Sequence, residues 1–397
     1  MPDILKISGI FTLIIILLRF KWNVGYVLLA ASAALALFYM MPLNSIFATV
    51  QNTITDMVTI KLFLALCLIR VFEIVLREKD ALNQMTEASK KLLKKGRAVI
   101  ISMPMLIGMM PSLGGAYFSA PMVEEATKGL NMPPEEKAFI NYWFRHPWEC
   151  ILPLYPGILL ASALTKIELR SFIAVNMIYT VIIVISGFML SMRNIGKSNA
   201  VSKMKPQDRP LLWSFVPLCF VIVLVMFLHV ELHYALTIST IMLFLFYKYG
   251  GKDIARVIRH GFAKDVIIIV LGTMLFKFMM ENSGAVTNLS HYFTEKGIPL
   301  LPVLFLLPFV SGLLTGITVA FIGSTFPLLI SIAGGAHLNE MAFAFAAGYV
   351  GVLLSPVHLC LVLTREYFKA DVAGVYKKII PSCVAIIAGA LAVFFIL

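Results

Sequence analysis

Two apolar stretches about 204 residues apart share one unusual plan, a hairpin with a Gly-rich turn followed by an apolar helix interrupted by proline. The first hairpin runs from Met103-Pro104 to Pro121 around Pro111-Ser112-Leu113-Gly114-Gly115. Its interrupted helix carries Ile151-Leu152-Pro153-Leu154-Tyr155-Pro156-Gly157. The second runs from Leu307-Pro308 to Pro327 around Ser311-Gly312-Leu313-Leu314-Thr315-Gly316, and is followed by Leu353-Leu354-Ser355-Pro356-Val357-His358. In hydrocarbon an unpaired backbone N–H or C=O costs several kcal/mol, so non-helical backbone survives only inside protein or beside a wet cavity. Broken apolar segments at matching places in two halves therefore point to a shared polar centre of the kind that carriers use.

Of the 397 residues 60% are hydrophobic and 14% charged, against about 45–50% and 25% in a soluble domain. Many apolar runs reach the roughly 20 residues that a helix needs to cross about 30 Å of hydrocarbon, and no alternating barrel strands occur. The expected fold class is an all-α polytopic membrane protein with about ten transmembrane helices. These form two inverted repeats, each with a re-entrant helical hairpin and an interrupted helix. The apolar segment at 4–20 has no basic leader or small-residue cleavage site and is expected to be a retained helix. Five scattered cysteines, Cys67, Cys150, Cys219, Cys360 and Cys383, read as small buried apolar residues rather than metal ligands.

The first repeat is expected over 1–192, with scaffold helices within 4–76 (4–20, 24–42 and 57–76), a hairpin at 98–130, an interrupted helix at 136–163 and a last helix at 168–192. A basic amphipathic piece fills 80–97. The polar stretch 193–210 reads as the linker. The second repeat, 211–397, follows with scaffold helices within 211–282 (211–229, 232–249, 264–282), an amphipathic piece at 283–297, a hairpin at 299–334, an interrupted helix at 338–363 and a helix at 372–396. Five crossings per half, an odd number, turn the second half upside down. Charge agrees with this: 25 of the 33 lysines and arginines fall on the face that holds the linker. The positive-inside rule then puts the linker in the cytoplasm and both termini outside, in a prokaryotic inner membrane. Net charge +12 thus reports topology, and no nucleic-acid partner is expected. The run Lys90, Lys91, Lys94, Lys95, Arg97 reads as an interfacial helix drawn to anionic lipid.

The two hairpins are expected to enter from opposite faces and meet near the midplane. At their tips Gly114, Gly115, Gly312 and Gly316 permit close backbone approach, while Ser112, Ser311, Thr315 and Thr318 supply hydroxyls. A half-helix starting there aims N–H groups and a positive dipole end at an anion, and nearby oxygens suit Na⁺. The plainer alternative is close helix packing by small residues; their equivalent placement in both halves favours a site. In the first interrupted helix, Arg145 and Glu149 lie about 14 Å and about 20 Å from a helix start near Glu136, at i,i+4 spacing. Charge at such depth is costly and suggests function. Either Arg145 forks onto an anion while Glu149 or His146 takes a proton, or Arg145 and Glu149 merely neutralise each other. In the second half, Ser355 and His358 occupy the matching place; His358 either lines the cavity or bonds a carbonyl as a neutral ring, and the second reading is preferred. Arg70 with Glu73, and Lys277 with Glu281, are spaced to pair along their own helices.

This architecture resembles the ion transporter superfamily, which includes gluconate, citrate, arsenite and divalent-anion/sodium carriers. Within it, Pro111 to Pro121 and Trp143-Phe144-Arg145-His146-Pro147-Trp148-Glu149 look like a prokaryotic branch of integral membrane proteins distantly similar to gluconate permeases. The resemblance implies a homodimer whose hairpins and interrupted helices move as an elevator against the scaffold helices. At the tips the chain has Pro111-Ser112-Leu113 and Leu314-Thr315-Gly316 where the dicarboxylate branch has Ser-Asn-Thr. The expected function is secondary active transport of a small organic anion coupled to Na⁺ or H⁺, with no cofactor other than a Na⁺ ion. The expected substrate contacts are Ser112, Gly114, Gly115, Arg145, Thr315, Gly316, Thr318, Ser355 and His358. The coupling ion or proton is assigned to Ser112, Ser311, Thr315, His146 and Glu149. No P-loop, HExxH or GxSxG motif marks an enzyme. The alternatives from other classes are a carrier or flippase for a phosphorylated isoprenoid lipid, an intramembrane enzyme using His146 and Glu149, and a passive channel.

Overall fold

A computed structural model describes residues 3–20, 22–81, 84–85, 97–110, 115–191, 215–285, 288, 292 and 295–397. Among them every regular element is helical, as the apolar runs predict. The first half contains α1 (Asp3–Arg19), α2 (Val24–Phe38), α3 (Leu43–Thr55), α4 (Met57–Glu78), α5 (Arg97–Gly108), α6 (Gly115–Ala126), α7 (Pro134–Trp143), α8 (Pro156–Thr165) and α9 (Leu169–Ser191). The second contains α10 (Val216–Met226), α11 (Leu232–Phe246), α12 (Gly251–Gly261), α13 (Lys264–Asn282), α14 (Leu300–Thr315), α15 (Thr318–Ile332), α16 (Leu338–Leu354), α17 (Leu359–Phe368) and α18 (Val372–Ile396). Both expected interruptions are real: α7 and α8 are separated by residues 144–155, and α16 and α17 by 355–358.

Leu169–Ser191, Val372–Ile396 and the two-helix stretch Leu338–Phe368 are long and apolar enough to cross a membrane. The other expected spans include shorter pieces, such as the 15-residue α2 and α11, each about 22 Å long at 1.5 Å per residue. Large apolar side chains stay exposed on outward faces, among them Ile178, Val181 and Ile185 of α9 and Ile238, Ile241 and Leu245 of α11. Exposed apolar surface on this scale fits a lipid environment. The linker 193–210, the basic run Lys90 to Lys95, and most of 80–97 lie outside the described residues, as does part of 283–297.

Two elements go beyond the sequence reading. Helices α3 and α12 fill the gaps before α4 and α13, and α12 buries only Val257 and Gly261 while its charged face stays exposed. Packing pairs the halves reciprocally. α2 lies on α13 and α11 on α4; α3 lies on α13 and α12 on α4; α6 lies on α17 and α15 on α8; α7 lies on α18 and α16 on α9. The α2–α13 crossing brings backbones together at Gly25 and Gly272. A Cβ on Gly25 would fall on the Ile268 carbonyl, and one on Gly272 on the Gly25 carbonyl. Lipid offers apolar helices no hydrophobic drive to associate, so such close contact supplies the dispersion energy instead.

One charge expectation is corrected. Arg70 does not pair with Glu73: its guanidinium reaches Asp265 of α13 at 2.6 Å, and Glu73 binds Arg77 at 2.6 Å. The i,i+4 partner and the neighbouring helix both present a carboxylate in better reach than the i,i+3 one. Lys277 is buried, with its ammonium 5.5 Å from the Phe278 ring, and no described ion pair joins it to Glu281.

Candidate functional site

Helix α7 stops at Trp143 because Pro147 cannot supply an amide to its fourth-previous carbonyl, and its ring crowds that turn. The chain continues through Phe144, Arg145 and His146 into a 3₁₀ turn, Pro147–Cys150, before Pro156 opens α8 at a first-turn position that suits proline. Pro356 likewise stops α16, and His358 precedes α17.

The carbonyls these breaks release are met by side chains from elsewhere. In the reverse sense, the first break serves the end of α5: Tyr155 donates its hydroxyl to Gly108 O, and Trp148 donates to Met105 O at 2.7 Å. Tyr349 donates to His146 O at 2.6 Å, Thr180 to Pro147 O at 2.9 Å and Asn176 to Cys150 O at 3.1 Å. On the second break, Tyr142 donates to Leu353 O and Tyr376 to Leu354 O, both at 2.9 Å. Such bonds meet the demand that buried backbone polar groups be paired. The amide ends differ. No side chain caps the N-terminus of α8, α15 or α17, whereas Asp56 caps α4 and Asp371 caps α18.

Both breaks arrive at one buried place. His146 Nε2 lies 3.0 Å from His358 Nε2, and the Tyr142 ring packs on both imidazoles. His358 Nδ1–H donates to the Gly316 carbonyl at 2.8 Å, so the preferred reading of His358 as a carbonyl-bonded ring is met, at the tip of the second hairpin. Gly316 holds φ +66 there, and a Cβ would sit 2.9 Å from the His358 backbone. Arg145, 4% exposed, lays its guanidinium against Gly115 at the start of α6, where a Cβ would displace that guanidinium. Glu149 Oε1 stands 3.8 Å from His146 Nε2. The i,i+4 argument for Arg145 and Glu149 fails on geometry, because neither residue is in an α-helix; nor does the depth counted along a continuous helix hold past Trp143.

The site residues predicted from sequence thus divide. Gly115, Arg145, His146, Glu149, Gly316, Ser355 and His358 gather around the two breaks, with Ser355 Oγ 3.0 Å from where a Gly316 Cβ would stand. Thr318 sits where α15 meets α8, beside Gly157. Ser311 and Thr315 are engaged inside their own hairpin: Ser311 Oγ contacts Ser324 Oγ at 2.9 Å, and Thr315 donates to Ser311 O at 2.8 Å. Ser112 and Gly114 lie outside the described residues. A cavity of about 300 Å³ lies elsewhere, lined by Lys61, Glu168, Arg170, Glu231 and His233. Missed from sequence were Cys360, whose thiol joins His146 and His358, and the carbonyl-capping tyrosines Tyr142, Tyr155 and Tyr349. A His-x-Cys step beside a break was the available signal for the thiol.

A family model described as "Protein of unknown function (DUF401)" matches residues 5–396. The chain belongs to the DUF401 family. No curated protein matches it. The matched range, residues 5–396, includes both breaks.

Proposed function

We propose that this DUF401 protein is a secondary active transporter of a small organic anion, built from two inverted repeats whose re-entrant hairpins and broken helices converge on one site. The observation that carries the reading is the meeting of both breaks, His146 Nε2 to His358 Nε2 at 3.0 Å, beside a buried arginine. The Arg145 guanidinium brings a fixed positive charge beside the two breaks, and half-helix N-termini without a capping side chain add positive field. The released carbonyls of the two breaks are already bonded to hydroxyl and amide donors, so the opposing negative ends are muted.

Topology supports the same reading. Several long-range polar contacts join segments that charge counting assigns to one face: Lys61 with Glu231 and Asn282 with Thr49 outside, Arg256 with Glu78 and Tyr367 with Glu124 inside. The reciprocal packing of the halves is what a duplicated, inverted unit would show. Near-complete burial of Arg145 and His146 corresponds to a state closed to both sides. Glu149 and His146 are the groups placed to carry a coupled proton; Na⁺ coupling would draw instead on tip oxygens.

Proteoliposomes preloaded to give Na⁺ or H⁺ gradients are expected to accumulate a sugar acid or another small carboxylate, with uptake collapsing when the gradient is dissipated. Gradient-independent, non-saturating flux would mean a channel, and absence of uptake across carboxylates and oxyanions would defeat the proposal.

A further inference from the structure

We propose that His146, His358 and Cys360 form a binding site for a borderline-soft transition-metal ion of the Zn²⁺ class, with Glu149 as a fourth donor. The three ligand atoms lie within 4.8 Å of one another, and Glu149 Oε1 stands 3.8 Å from His146 Nε2. The proposal is independent of the transport reading, since an ion would bind here whether or not the chain moves an anion.

The tautomers make the argument. His146 Nδ1 is 2.6 Å from Tyr142 O and His358 Nδ1 is 2.8 Å from Gly316 O. A carbonyl only accepts, so both Nδ1 atoms carry the proton. In two neutral rings, the Nε2 lone pairs then face each other at 3.0 Å, a repulsive contact that a shared cation relieves. A proton would serve two nitrogens alone. Here a thiol converges as well, and with the nearby Glu149 carboxylate the donors form an N₂S(O) set that matches Zn²⁺ and its neighbours in hardness. Metal-bound imidazoles commonly donate their other N–H to a carbonyl, which is the bond each ring makes. Tetrahedral coordination at 2.0–2.1 Å needs the two nitrogens roughly 3.3 Å apart, a few tenths of an ångström from where they stand. On binding, the Cys360 thiol gives its proton to solvent and the thiolate sulfur takes the metal. The ion would tie the first break to the second.

The test uses the full-length protein, purified in detergent, stripped with a chelator and titrated with Zn²⁺, then loaded with Co²⁺ as a spectroscopic probe. One ion per chain and a thiolate-to-cobalt charge-transfer band are expected. Cys360→Ser should remove that band and weaken Zn²⁺ binding roughly 100-fold or more, and His358→Gln should weaken it comparably. Cys383→Ser, buried at another place, should change neither. Wild-type protein that binds no Zn²⁺ with micromolar affinity, or that binds Co²⁺ with no sulfur band, overturns the site, as does full binding in a Cys360→Ser/His358→Gln double variant. The wild-type stoichiometry and spectrum decide the matter even where a variant loses its gel-filtration peak.

Discussion

The first break occupies residues 144–155 and carries Arg145, His146 and Glu149, whereas the second is confined to 355–358 and brings a serine, two apolar residues and His358. Both end an apolar helix with a proline and both hand their carbonyls to distant tyrosines, yet only the first invests in full charges. The lesson is a division of labour: matched backbone breaks bring the two halves to one place, and asymmetric side chains give that place a sign. A pocket with arginines in both halves would repel itself in low dielectric.

The sharpest way to break this comparison uses the turns just beyond the breaks. Lys166 after α8 and Lys369 after α17 occupy the same left-handed C-cap position, at φ 59 and φ 51. In a background freed of its five cysteines, Lys166→Cys should react with an impermeant thiol reagent from outside only, and Lys369→Cys only after permeabilisation. Labelling of both from one side would end the inverted reading.

Next in size, Arg145→Gln should cut anion uptake in proteoliposomes by roughly 100-fold, the scale of a lost charge-assisted bidentate contact of about 3 kcal/mol. Ser355→Ala, its counterpart across the pocket, should cost only a few-fold. Equal losses would show that sign does not reside in the first break.

The hairpin glycines should separate stability from activity. Gly316→Ala forces a side chain into left-handed backbone against the His358 main chain, and should lower unfolding stability by about 1–3 kcal/mol. Gly115→Ala instead meets the movable end of Arg145, so uptake should fall further than the thermal midpoint does. The smallest effect belongs to the carbonyl caps. Tyr155→Phe, buried on the first break, should cost about 1–3 kcal/mol, and the half-buried Tyr376→Phe about 0.5–1.5 kcal/mol, measured by thermal unfolding in detergent.

Much of this fold was legible because apolar length and proline position are strong local signals: expected breaks at 136–163 and 338–363 meet α7–α8 and α16–α17 within a few residues. Helices α3 and α12 escaped because they are amphipathic rather than apolar, and a reading tuned to spanning runs passes over them. At the site, Arg145 and His358 stood out as polar residues in apolar surroundings. Cys360 did not, since a single thiol in an apolar helix is ordinarily packing, and only folding sets it beside two imidazoles from both halves. The Arg70 pairing was misjudged for the same reason: Asp265, 195 residues away, has no mark in the local sequence.

The unguarded starts of α8, α15 and α17 bear on leakage. On the transport reading, amides without a capping side chain at these starts make closing an empty site uphill. If the proposed transport holds, the protein returns unloaded only slowly. It should therefore swap one bound molecule for another faster than it makes a net delivery, and resist running down the gradient that drives it.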